Sequence, residues 1–148
     1  KTNTIDMSIE EIEQEIIEEF SNFEDWMDKY SYIIEIGNSC PIIEEKEKTE
    51  NNLIKGCQSR VWVSAKLDEN GLMQITADSD AVITKGIITL LLRVFNNQKP
   101  QDVYSAELKF VDEIGLKSHL SPTRSNGLLS MIKQIKLYAL AFSVKQNQ

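Results

Sequence analysis

A cysteine beside a glycine is the residue of this chain best suited to chemistry. Cys57 follows Gly56 and is followed by Gln58 and Ser59, just before an apolar stretch that begins at Val61. A thiolate on such a loop can attack an electrophilic sulfur, for example the outer sulfur of a persulfide held by another protein. Gln58 and Ser59 are expected to position the loop through side-chain hydrogen bonds to the backbone. The residues alone leave two alternatives open: Cys57 is a reactive nucleophile, or it is a small hydrophobe that falls near a turn.

The other candidate ligands and bases are few. Cys40, Cys57 and His119 show no CxxC or HxxxH spacing, so we predict no zinc or iron–sulfur site. A pair of Cys57 with His119, the only histidine, would depend on a proximity that sequence does not show. Cys40 is predicted to be a surface or packing residue. Only a thiol oxidoreductase would need it, as a resolving cysteine for Cys57.

Composition predicts one domain over residues 1–148 in a reducing, cytoplasmic setting. The chain is 41% hydrophobic and 26% charged, and its two cysteines are too few for a disulfide framework. Residues 1–6 lack the pattern of a signal peptide, and the longest apolar run, residues 87–92, is too short to cross a bilayer, so we expect no membrane association.

The charge distribution argues against a nucleic-acid partner. The net charge is −7, with fifteen acidic against four basic residues in the first 50 and eight against twelve in the remainder. The basic residues form no stripe with interleaved aromatic residues, which is the pattern expected of a nucleic-acid surface.

The elements before the cysteine loop are predicted to be two helices and a connection. Ser8 and Glu11 fit a capping box that begins the first helix. Residues 21–24 repeat that signal and predict the start of the second helix, which should end with Gly37 as a left-handed cap. The polar stretch 38–52 is predicted to be a long exposed connection.

After the loop the period of the hydrophobic pattern changes to two. Alternation over residues 59–67 and 72–77, with a turn at 68–71, predicts an antiparallel hairpin. A central helix is predicted from Ala81 to about Asn96, capped by the Ser79-Asp80 pair. Four further predictions complete the chain: a third strand at 108–111, a short helix at 114–120, a loop at 121–127 and a final helix. The fold class is therefore α+β, a small antiparallel sheet of about three strands packed against helices.

Several separated motifs, taken in order, resemble the SufE family of cysteine desulfuration proteins. The resemblance covers nearly the whole chain, from the first helix to the last. It rests on Trp26, residues 29–30, 33–37, 56–59, 61–62, 77–81, 85–86 and 115–116, and the run HLSPTRSNGL at 119–128.

The resemblance implies a sulfur-transfer role. Family members accept persulfide sulfur from a pyridoxal-phosphate cysteine desulfurase of the SufS type, stimulate its turnover and pass the sulfur towards an iron–sulfur scaffold of the SufBCD type. Cys57 matches the acceptor cysteine, which implies an accessory protein with a covalent persulfide intermediate rather than a stand-alone enzyme. The pyridoxal phosphate would belong to the partner, and this chain would need no cofactor. The implied fold is similar to that of the scaffold IscU, whose three-cysteine cluster site is not reproduced here.

Four other matched residues are expected to bind the partner or support the loop. Asp78 and Asp80 are predicted to cap the central helix, with contact to the Cys57 loop as the alternative. His119 and Arg124 flank a proline-containing loop, and Arg124 is expected to pair with a carboxylate of the partner, with an internal salt bridge as the alternative.

The sequence leaves the cognate partner and the assembly open. A paralogous desulfurase of the CsdA type, with its CsdE-type acceptor, is an alternative partner system. An adaptor that binds the desulfurase without receiving sulfur is an alternative role. A homodimer is one alternative for the oligomeric state.

Overall fold

The structure, a computed structural model, describes residues 7–146. The segment 1–6, on which the absence of a signal peptide was argued, lies outside this range. The helices are α1 (Ile9–Phe20), α2 (Trp26–Ile36), α3 (Val82–Phe95), α4 (Pro100–Ser105), α5 (Phe110–Glu113), α6 (Leu116–His119) and α7 (Pro122–Gln146), and the strands are β1 (Val61–Leu67) and β2 (Met73–Ser79).

The two strands form an antiparallel hairpin in which Val61 pairs with Ser79 and Leu67 with Met73. Alternate residues of the hairpin, among them Val63 and Ile75, are fully or almost fully buried because they face the helices. The predicted hairpin and the α+β fold class are confirmed.

Helix α3 lies at the centre of the domain, as its apolar sequence predicted. Eleven of its fourteen residues are buried. It packs against α2, β2, α1 and α7. The closest approach is at Gly86, where a Cβ atom would lie only 2.0 Å from the carbonyl oxygen of Ile33 in α2. A glycine is therefore required where these two helices cross.

The cap of the first helix is confirmed, but that of the second is wrong. Ser8 and Glu11 form both hydrogen bonds of the capping box. The second helix begins at Trp26, because the Asp25 side chain accepts the hydrogen bond from the Met27 amide. Gly37 has φ −57° and continues into a 3-10 turn, so it is not a left-handed cap.

The connection after α2 is less exposed than predicted. It contains three short 3-10 turns, at Gly37–Ser39, Glu45–Glu47 and Glu50–Asn52. Two residues of the connection, Cys40 and Ile43, are buried, and the Ile43 amide donates a hydrogen bond to the carbonyl of Ala77 in β2. This hydrophobic anchoring holds the connection along the edge of the hairpin.

Two predictions near the C-terminus are wrong. Residues 108–111 do not form a third strand, because the chain turns into α5 at Phe110, whose amide donates to the buried carboxylate of Glu13. Residues 121–127 do not form a loop, because Pro122 is the first residue of α7 and the Ser121 hydroxyl accepts from the Arg124 amide. Proline suits the first turn of a helix, where its missing N–H has no partner to lose.

Helix α7 is long and apolar enough, by length and composition, to cross a bilayer. The sequence analysis predicts no membrane-spanning helix because it considers unbroken apolar runs, and Lys133 and Lys136 interrupt the apolar stretch of α7. A core helix of a soluble protein also meets this measure, and one face of α7 is buried by α4, α3 and β1.

Candidate functional site

The cysteine loop is a short excursion whose base is tied to the hairpin. The Ile54 amide donates to the Val61 carbonyl at 2.8 Å, which brings the two ends of the loop together. Gly56 has φ +93°, a left-handed conformation that glycine adopts without strain. Within the loop, Gly56 and Gln58 are exposed, whereas Cys57 is half-buried. The Cys57 side chain thus turns inwards between two exposed neighbours.

Asp80 ties the other side of the loop base. Its Oδ1 accepts from the Arg60 amide at 3.0 Å, and its own amide donates to the Arg60 carbonyl at 3.2 Å. The predicted role of Asp80 as a helix cap is wrong, because the N-cap of α3 is Ala81, which has no side-chain cap. The alternative, contact with the Cys57 loop, is what the geometry gives.

The sulfur of Cys57 lies between the loop, α3 and α7. Its Sγ is 3.6 Å from the carbonyl oxygen of Gly127 and can donate a weak hydrogen bond to it. Beside the sulfur is a cavity of about 80 Å³. A cavity of this size has room for another atom the size of a water molecule. The residues that line it are Cys57, Gln58, Ser59, Thr84, Ile87, Thr123, Arg124, Gly127 and Met131.

This environment favours the protonated thiol. Burial of the side chain raises the pKa of the Cys57 thiol above its ordinary value. The hydrogen-bonding partner of the sulfur is the carbonyl oxygen of Gly127. This oxygen accepts a hydrogen bond from a thiol but repels a thiolate. The inward position therefore lowers the nucleophilicity of the sulfur.

Asp78 lies in β2, not at the start of the central helix. Its carboxylate pairs with Lys48 at 2.7 Å and Lys85 at 3.3 Å, and it also accepts from the Ser79 amide. Desolvation alone would raise its pKa, but the hydrogen bonds from Lys48, Ser79 and Lys85 outweigh it, and the pKa of Asp78 is lowered. The side chain ties the connection and α3 to the hairpin, and neither caps a helix nor touches the loop.

His119 is the last residue of α6, and Arg124 lies in the first turn of α7. The His119 ring stacks on Trp26, with centroids 4.5 Å apart, and its Nδ1 lies 2.9 Å from the Gly115 carbonyl. These contacts do not bring His119 to Cys57. Arg124 borders the sulfur cavity, and its Nη1 donates to the Tyr30 hydroxyl at 3.3 Å. Its exposed side chain is thus held at the cavity that the thiol also lines.

The second cysteine is a packing residue. Cys40 is only 7% exposed, and its Sγ lies 3.5 Å from the Ala77 carbonyl. Burial raises the pKa of its thiol. Both cysteines are free thiols, and within residues 7–146 no group of three or more His, Cys, Asp or Glu side chains is arranged to hold a metal ion.

Sequence reasoning missed the helical half of the cavity. Thr84 and Ile87 come from α3, and Thr123, Gly127 and Met131 come from α7. The sequence pattern predicts that Gly127 lies in a loop, and the structure places it inside α7. The Ser-Pro pair before it was the signal for an earlier helix start, and helical spacing then places residues 123, 127 and 131 on one face.

Two comparisons with known proteins show the family and the fold of this chain. The family described as "SufE: Fe-S metabolism associated domain" matches residues 14–139. A solved structure, described as the solution structure of a hypothetical protein from Thermus thermophilus, is similar with a TM-score of 0.74 at 17% sequence identity. The match covers 90% of this chain and 96% of that one, and it supports the fold.

Proposed function

The chain belongs to the SufE family, whose domain is associated with Fe-S metabolism, and we propose that Cys57 accepts sulfane sulfur from a SufS-type cysteine desulfurase and relays it towards an iron–sulfur assembly scaffold. The observation that carries the proposal is the half-buried thiol beside a cavity with room for one more atom, on a loop whose backbone hydrogen bonds lie at its base. A sulfur carrier needs this combination of shelter and release.

The transfer is a thiol–persulfide exchange. The Cys57 thiolate attacks the outer sulfur of the partner's persulfide, and a new S–S bond forms on Cys57. The partner's S–S bond breaks, and its electron pair leaves on the inner sulfur, which becomes the partner's thiolate. Sulfur changes hands without an external oxidant or reductant, and the pyridoxal phosphate acts only in the partner.

The loop supplies the two states that this exchange requires. In the inward state the thiol is protonated and half-buried against Gly127. On docking, the segment between the anchors at Ile54 and Arg60 swings outwards, and the thiol gains water and loses the cause of its raised pKa. After loading, the cavity beside Ile87 and Met131 shelters the outer sulfur.

The surface around the loop suits an acidic partner site. Lys55, Arg60 and Arg124 are exposed near the thiol, in a chain whose net charge is −7. A local cationic rim on an acidic protein favours docking on carboxylates. Arg124, held by Tyr30 beside the cavity, is the residue we assign to a bidentate contact with a partner carboxylate.

The test is a loading assay with the cysteine desulfurases of the source cell and cysteine as substrate. Wild-type protein and the Cys40→Ser variant should gain the mass of one sulfur on the Cys57 peptide and stimulate desulfurase turnover. Cys57→Ser, with an unchanged circular-dichroism spectrum, should do neither.

Each alternative role has its own outcome in that assay. Stimulation retained by Cys57→Ser would indicate an adaptor, and loss of turnover in Cys40→Ser with a disulfide substrate would indicate a thiol oxidoreductase. Sulfur loading on Cys40 in the Cys57→Ser variant would refute the assignment. Parallel assays with SufS-type and CsdA-type enzymes identify the partner by the larger stimulation.

A further inference from the structure

The cysteine loop packs against α7 at two glycines, Gly127 in the helix and Gly56 in the loop. A Cβ atom on Gly127 would lie 3.3 Å from Cys57 Sγ and 3.9 Å from both Cα and Cβ of Cys57. A Cβ atom on Gly56 would lie 2.5 Å from Ser130 Oγ. Residues 127 and 130 lie on one face of α7, since they are three apart in a helix. The loop is therefore packed on that face through two glycines.

The backbone of Gly127 does not itself require glycine. The residue lies inside α7 and is absent from the positive-φ residues, so any L residue can adopt its conformation. Glycine in a helix interior is less favourable than alanine by about 1 kcal/mol. The local structure thus disfavours the residue that is present, and the contact in the structure that needs it is with the sulfur of Cys57.

We infer that Gly127 is a positioning residue for Cys57: the space left by its missing side chain is the seat of the thiol, a methyl group there shifts the sulfur by a few tenths of an ångström, and a larger side chain displaces the cysteine loop towards its outward state. The inference rests on the proposed function for its purpose, but the seat itself is a property of the isolated protein. A methyl group at residue 127 would lie 3.3 Å from Sγ of Cys57, which is closer than a carbon and a sulfur atom normally approach. A branched side chain would occupy the position of the sulfur.

Substitution at Gly127 should therefore affect the stability of the global fold and the stability of the inward state of the loop differently. Alanine or valine at position 127 relieves the intrinsic penalty of glycine in a helix, so the helix and the global fold are not weakened by propensity. The inward state of the loop is weakened, because its contact with α7 is obstructed. Global unfolding and local exposure of Cys57 should therefore respond in opposite directions, which a general destabilisation would not produce.

The experiment measures alkylation of Cys57 in the protein alone. Wild type, Gly127→Ala and Gly127→Val react with iodoacetamide from pH 6 to pH 10, and peptide mass spectrometry separates Cys57 from Cys40. The matched control is Asn126→Ala, the exposed neighbour on the same turn of α7. Urea unfolding of each variant is measured in parallel.

We expect faster alkylation of Cys57 at pH 7 in both variants, with Gly127→Val faster than Gly127→Ala. Release of the thiol from its buried position lowers its pKa and raises the thiolate fraction, and we expect the alkylation rate in Gly127→Val to rise about tenfold. The pH profile should move to lower pH in the same order. Asn126→Ala should match wild type, and Gly127→Ala should be at least as resistant to urea as wild type.

Unchanged alkylation and an unchanged pH profile in Gly127→Ala and Gly127→Val would overturn the inference. Equal acceleration in Asn126→Ala would also overturn it, because the effect would then belong to the helix as a whole. If Gly127→Val fails to fold, the alanine variant decides by the same criteria. No desulfurase is present, so these outcomes are independent of whether Cys57→Ser abolishes sulfur loading.

Discussion

Replacement of Gly86 by alanine should be among the most damaging single-methyl additions to this protein. The added Cβ would lie 2.0 Å from the carbonyl oxygen of Ile33, 2.7 Å from the carbonyl carbon and 2.7 Å from its Cγ2 atom. Two of these three atoms belong to the backbone of α2, so a change of side-chain rotamer cannot relieve the overlap. Helices α2 and α3 would have to separate.

The magnitude follows from two opposing terms. Forcing an extra methyl group into a packed core costs about 1–3 kcal/mol, and a contact with backbone belongs at or above the top of that range. Alanine gains about 1 kcal/mol over glycine in helix propensity. The net loss should be about 2 kcal/mol or more, which lowers the midpoint of thermal unfolding by roughly 4–8 °C in a domain of this size.

Urea unfolding followed by circular dichroism at 222 nm measures this loss, and Gly37→Ala is the matched control. A Cβ on Gly37 would lie 3.2 Å from the Gly86 amide nitrogen, a contact that a shift of a few tenths of an ångström relieves. Its cost should be clearly smaller than that of Gly86→Ala. Equal stabilities of Gly86→Ala and wild type would refute the packing of α2 on α3 described here, and with it the placement of the cavity wall at Thr84 and Ile87.

Two further predictions concern charge and thiol chemistry. Asp78→Asn should lower stability most at neutral pH: because the pKa of Asp78 is lowered in the folded protein, its contribution is present above the ordinary carboxyl pKa and is lost as pH falls through the folded value. Urea titrations at pH 7 and pH 3 should show a difference from wild type that shrinks at the lower pH, and a constant difference would contradict the ion pairs with Lys48 and Lys85. Cys40 should react with iodoacetamide at least about tenfold more slowly than Cys57 in the folded protein, because its thiol is buried; equal rates by peptide mass spectrometry would place Cys40 at the surface instead.

The sequence predicts local structure well where one physical signal dominates. The hairpin follows from the alternation on both sides of Asp68–Gly71, and the first helix follows from a capping box whose two hydrogen bonds are both formed. The fold class follows from those elements. Each of these features depends on residues that are near one another in the chain.

The errors arise where long-range contacts decide between local alternatives. The pair Leu108 and Phe110 could begin a strand, but the carboxylate of Glu13, 97 residues away, fixes the Phe110 amide at the start of α5. Asp78 and Asp80 read as helix caps, yet Lys48 and the Arg60 amide are the partners that the fold brings to them. Spacing along the chain does not contain such pairings.

The same limit explains which half of the site could be read from the sequence. The proposed nucleophile and its loop are contiguous, so Cys57 is a candidate from its neighbours alone, and the resemblance to the SufE family selects it. The seat of the sulfur is built from α3 and α7, and Gly127 is separated from Cys57 by 70 residues. A glycine inside a helix carries no chemistry of its own, and its role appears only when the fold places a sulfur against it. For the sulfur carrier that we propose, the residues that enclose the thiol are therefore as specific as the thiol itself, and they are the ones to vary when the two proposed states of the loop are to be separated.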